Sequence, residues 1–116
     1  MDNKVYVAQC ESYDIKKVTT AVNRTIKAFG GAKAILGEKK RVVVKPNLIM
    51  PKNPKDAVTT HPAVVEAVCK AFVDVGADVE IIDSTGGPHT KFVLKMLYGK
   101  TGMKKAAENS GAKLSF

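Results

Sequence analysis

The sequence predicts an α/β fold: three layers, with a mainly parallel sheet and helices on both faces. Two observations carry that prediction. The β-branched run Val42-Val43-Val44 follows Arg41 without polar interruption and ends in Lys45-Pro46-Asn47. Such a run reads as a strand buried on both faces, as parallel sheets flanked by helices require. Strand-like and helix-like segments then alternate along the chain in the order β-α-β-α-β-α-β. With right-handed crossovers, that order gives one parallel sheet.

The elements follow in turn. Residues 4–9 (Lys-Val-Tyr-Val-Ala-Gln) alternate apolar with other residues and are expected as the first strand. Asp14 stands where a helix N-cap belongs, and Ile15, Val18, Val22, Ile26 and Phe29 recur at helical spacing. Gly30-Gly31 supplies the left-handed freedom a helix end uses. Residues 32–36 form a short helical or irregular piece, and the second strand covers 41–46. A long loop from Leu48 to Thr60 follows, of a length often reserved for function. Thr59-Thr60-His61-Pro62 then offers a hydroxyl cap and a first-turn proline for the next helix. Its apolar face is Val64, Val65, Val68, Cys69, Phe72 and Val73, and Gly76 closes it. The third strand spans 78–83. A turn-rich loop, 84–90, leads to a short helix stopped at Gly99. Thr101-Gly102 opens another helix, Gly111 ends it, and 112–116 is the fourth strand.

Composition bounds the function. The chain has 116 residues, enough for one domain with a core of its own. No apolar run approaches a membrane span, and Met1-Asp2-Asn3-Lys4 is no signal peptide, so no membrane is expected and a cytoplasmic setting is. Net charge is +8, yet only Arg24 and Arg41 among the 19 basic residues are arginine, and tryptophan is absent. Nucleic-acid surfaces favour arginine forks and interleaved aromatics, so no sequence-specific nucleic acid is expected. Small anions or an acidic partner fit the charge better. Cys10 and Cys69 lie far apart and form no CxxC pair; Cys69 is expected as a small buried hydrophobe, Cys10 as the more exposed thiol. An iron–sulfur cluster held by this chain alone would need about four thiolates, so no cofactor is expected on the chain itself. His61, Asp83 and His89 have no ligand spacing that points to a metal.

In a parallel sheet the carboxyl ends of all strands share one edge, which is where such folds bind ligands. That edge collects Lys45 and Asn47 from the second strand and Asp83 with Ser84 from the third. The helix starts that follow add Thr60 and His61, and Gly86 with Gly87. Pro46 holds Lys45 in extended geometry. An ammonium, an amide, hydroxyls and a glycine pair beside helix N-termini suit a carboxylate or phosphate. Each residue also has a plain structural role: Thr60 as a helix cap, Asp83 and Gly86-Gly87 as turn residues, Lys45 as a solvated charge. Gly86-Gly87 matches neither the dinucleotide fingerprint nor the P-loop.

These segments resemble a known family. Val42–Leu48 (VVVKPNL), Thr59–Val68 (TTHPAVVEAV) and Gly76–Ser84 (GADVEIIDS), in this order, are similar to domain-of-unknown-function family 362. Glu11-Ser12-Tyr13-Asp14 and Thr101-Gly102 also fit its pattern. The likeness covers nearly the whole chain but only the front part of that family's domain. It implies an α/β domain often joined to a ferredoxin-like 4Fe–4S module, hence a redox setting, with any cluster on an absent segment or on a partner. It transfers Lys45, Asn47, Thr60, His61 and Asp83 as a site with unassigned roles.

Two function classes follow. One is a part of a redox-linked protein that binds a small anionic ligand at the strand-end edge. The other is a non-catalytic docking domain whose lysines meet an acidic partner. Because the last strand meets Phe116 with no covering helix, the chain is expected to be the N-terminal fragment of a longer domain. Its open sheet edge is expected to favour a homo-oligomer.

Overall fold

The computed structural model describes residues 3–83 and 90–116. Helix α1 spans Ile15–Ala28 and α2 spans Ala32–Leu36; strand β1 is Arg41–Val44. A 3₁₀ turn, Pro54–Asp56, interrupts the long loop before α3, Pro62–Val73. Strand β2 is Asp78–Ile81, followed by α4 (Lys91–Lys100), α5 (Met103–Ser110) and β3, Lys113–Leu114. The strands lie in the order β1-β2-β3 and both pairings are parallel. The α/β reading and the parallel sheet therefore hold.

The register explains the layering. Val42 sits beside Val79, Val44 beside Ile81, and Ile81 beside Leu114, so these apolar side chains share one face. All five join one core with Leu48, Val65, Cys69, Phe72, Leu94, Leu97, Tyr98, Met103 and Ala107. Helices α3, α4 and α5 thus supply the lid of that face, and α1 packs outside α3 through Val18, Ala63 and Ala67. The opposite face carries Arg41, Val43, Glu80 and Lys113. There Arg41 pairs with Glu80 at 3.2 Å and Lys113 with Asp78 at 3.0 Å, while Val43 is 57% exposed. Of the two outer layers expected, the described residues build one. In β2 the alternation Asp78-Val79-Glu80-Ile81 fits a sheet with one wet face, whereas the unbroken valine run of β1, expected to be buried on both faces, leaves Val43 exposed.

Residues 4–9 are a correction. They form no strand, and no described strand pairs with them: Val5 is 87% and Val7 85% exposed. The alternation that predicts a strand is local, whereas a strand exists only where a partner edge accepts its backbone. One helix boundary also differs. Gly99 does not stop its helix; α4 runs to Lys100, where the buried Thr101 hydroxyl donates to the Leu97 carbonyl at 2.7 Å. Gly102 then turns the chain with φ +82° into α5, and a Cβ there would stand 2.8 Å from Pro62 Cγ. The sheet ladder runs slightly past the formal strands, with Ile82 N–H donating to Val44 O at 3.1 Å and Ser115 N–H to Ile81 O at 3.0 Å. Among the described residues, no helix is long and apolar enough to cross a membrane.

Candidate functional site

The strand-end edge is built by three segments tied through their backbones. Past β1 the exposure alternates: Lys45 and Asn47 are exposed, Pro46 and Leu48 buried. Leu48 is fully buried in the core, which anchors the segment from below. Its N–H donates to Asp83 Oδ2 at 2.7 Å, a short bond of the charge-assisted kind. Asp83 stands two residues past β2, and its side chain is 3% exposed. The Lys45 ammonium stands 2.9 Å from Asp83 Oδ1, with 67% of the lysine side chain open to solvent. The contact at Oδ1 is an ion pair without hydrogen-bond geometry, so among the described residues that oxygen has no hydrogen-bond donor.

The third segment arrives from the α3 side. Asn47 N–H donates to the Thr60 hydroxyl at 3.0 Å, and Thr60 N–H returns a bond to Asn47 O at 3.2 Å. This reciprocal pair fastens the loop end to the strand end. It also reassigns the helix cap. Thr60 was expected to cap α3; its oxygen is instead engaged by Asn47, and His61 is the N-cap, with Nδ1 accepting from Ala63 N–H at 3.1 Å. Partial burial lowers the His61 pKa, so the neutral ring is favoured. With Nδ1 an acceptor, the ring proton resides on Nε2. The imidazole stacks on Tyr13 with ring centroids 3.8 Å apart.

Direct contacts thus join Lys45 to Asp83 and Asn47 to Thr60, and Leu48, next to Asn47 in the chain, links the two pairs through its amide on Asp83. His61 is joined to them through Thr60, but its ring stacks on Tyr13 and lines a neighbouring cleft with Ile15 and Glu66. Ser84, Gly86 and Gly87, together with His89, lie outside the described residues. Two participants escaped the sequence reading. One is the Leu48 amide, which no side-chain pattern reports. The other is Thr59, 9% exposed, whose hydroxyl has no hydrogen-bond partner among the described residues. Its place in a buried loop end could not be read from a Thr-Thr pair.

The arrangement can present one cation at a fixed place. Asp83 is held by a core-anchored amide, so it positions the lysine; the lysine end remains wet, so the pair does little for stability. An ammonium keeps further donors after one carboxylate contact, and those are open to a ligand. The residues do not fit an iron–sulfur cluster. Cys69 is fully buried among core side chains, its thiol pushed up to about 11 by burial, opposed in part by a hydrogen bond with Ser110; Cys10 is the exposed thiol. Among the described residues, no group of three His, Cys, Asp or Glu side chains is placed to hold a metal.

Fold and site together define an α/β domain with its polar cluster at the carboxyl ends of parallel strands. The match to a known family agrees with that class. The family described as Domain of unknown function (DUF362) matches residues 42–116, and the chain belongs to it. The matched span begins at β1 and contains every residue of the strand-end cluster. No curated protein and no solved structure matches the chain.

Proposed function

We propose that this domain binds a small anionic ligand, a carboxylate or phosphate, at the carboxyl edge of its strands, with Lys45 as the cation. One observation supports the reading above all: an exposed ammonium is held in place by a carboxylate that is itself buried and fixed by a core-anchored amide. A merely solvated lysine needs no such anchor. The exposed Asn47 side chain and the Thr60 end of α3 flank it and complete the polar edge. The setting is a cytoplasmic, redox-linked protein. The redox part rests on the family likeness, with a 4Fe–4S cluster carried by another segment or a partner.

The test is calorimetric titration with inorganic phosphate and with sulfate. Lys45→Ala is expected to weaken binding by about 1–3 kcal/mol, the usual loss for a charged hydrogen bond. Added chloride is expected to weaken binding to the native chain further, because an exposed cation is screened. Equal affinity in the native and Lys45→Ala chains would overturn the reading.

A further inference from the structure

A second electropositive surface, whose lining includes none of Lys45, Asn47, Thr60 and Asp83, lies between α1 and the segment 9–13. The cleft, of about 460 Å³, is lined by Lys16, Lys17 and Arg24 from the helix and by Glu11 and Cys10 from the facing segment. It adjoins an apolar cleft of about 350 Å³ that shares Cys10, Glu11 and Ala21 and adds Tyr13, Val22 and Val64. Basic and apolar clefts therefore lie side by side, bordered by the same residues.

The charge on α1 breaks a local rule. The helix carries Lys16, Lys17, Arg24 and Lys27 and no acidic residue at all. Two of those lysines sit in the first turn, where the helix end already has partial positive charge and acids are the stabilising choice. Asp14 compensates only as the cap, its carboxylate accepting from Lys17 N–H at 3.3 Å. Placing cations there costs the helix stability and concentrates positive potential at the basic cleft. Departures of this kind are expected where a sequence serves binding.

We infer that these two clefts dock an acidic, amphipathic segment of a partner protein. Its carboxylates pair with Lys16, Lys17 and Arg24, and an apolar side chain enters the Tyr13–Val22–Val64 cleft. Charge complementarity argues for an acidic occupant, and the adjoining apolar cleft argues for protein over nucleic acid. The cations are chiefly lysines without interleaved stacking aromatics, which points the same way. The surface uses none of the strand-end residues, so it stands or falls separately from the anion site.

The experiment uses a fluorescein-labelled peptide of glutamates with leucines at helical spacing, measured by anisotropy. Lys16→Glu/Lys17→Glu/Arg24→Glu is expected to weaken binding about tenfold or more, equivalent to ~1.4 kcal/mol. Lys39→Glu/Lys40→Glu/Lys95→Glu, with the same change in net charge, is expected to change it less than about twofold. Replacing the peptide's leucines by serine is expected to weaken it severalfold. Circular dichroism checks the fold, and the milder Lys16→Gln/Lys17→Gln/Arg24→Gln is expected to give an intermediate loss. Equal losses for the two charge reversals would reduce the effect to general attraction and overturn the inference. So would absence of peptide binding, or a DNA duplex bound more tightly and lost with the same α1 substitutions.

Discussion

At the end of β2 one carboxylate, Asp83, is buried and met by an amide and an ammonium, while along α1 four cations stand in solvent without an acid on their own helix. The first region spends packing to fix a single charge: the core grips Leu48, Leu48 grips Asp83, and Asp83 places Lys45. The second leaves its charges loosely set and adds two of them, Lys16 and Lys17, to a helix end that already repels them. A fixed charge suits a small ligand whose position matters. A diffuse field suits a larger partner found by steering.

The comparison breaks most visibly if the anchor is removed. Leu48→Ala is expected to destabilise the fold by about 3 kcal/mol, since a fully buried leucine leaves a cavity. Denaturant unfolding measures it. Asp83→Ala is expected to cost about 2 kcal/mol by leaving the buried Leu48 amide unmet, and Asp83→Asn less, because an amide oxygen can still accept. Similar stabilities for the Ala and Asn variants would show that the carboxylate is no anchor.

Acidity sharpens the picture further. Burial raises the Cys69 thiol to about 11 from its ordinary 9.0 and also raises Tyr98. The folded chain thus keeps protons that the unfolded chain releases. That stability is complete below pH 9 and declines as pH climbs toward 11. His61 has the opposite sign: its lowered pKa favours stability above about 6.5, lost as pH falls below that value. Melting temperature against pH tests both limbs. The smallest effect is expected on α1, where Lys16→Glu/Lys17→Glu is expected to raise stability by about 0.5–1 kcal/mol through the helix dipole. A loss there would mean the first-turn lysines serve the fold.

How far the sequence speaks depends on whether a feature is local. The Val42–Val44 run, the Asp14 cap and the apolar spacing of α3 are local, and each is legible. Residues 4–9 carry the same alternation as a strand, but pairing is decided by distant edges, so the pattern alone misleads. Lys45, Asn47 and Asp83 were legible as a cluster because chain direction in a parallel sheet places them on one edge. Thr60 and His61 exchanged roles because Asn47, 13 residues earlier, engages the Thr60 hydroxyl. The Leu48 amide and the buried Thr59 hydroxyl depend on the loop's path, which no residue pattern encodes.

The central claim is that the pinned lysine, and not the diffuse helix charge, takes the small anion. It is tested most directly by following backbone amide NMR shifts while inorganic phosphate is added. The account predicts shifts concentrated at Lys45, Asn47, Leu48, Thr60 and Asp83, and their loss in Lys45→Ala. Shifts centred on Lys16, Lys17 and Arg24, or unchanged in Lys45→Ala, would contradict it.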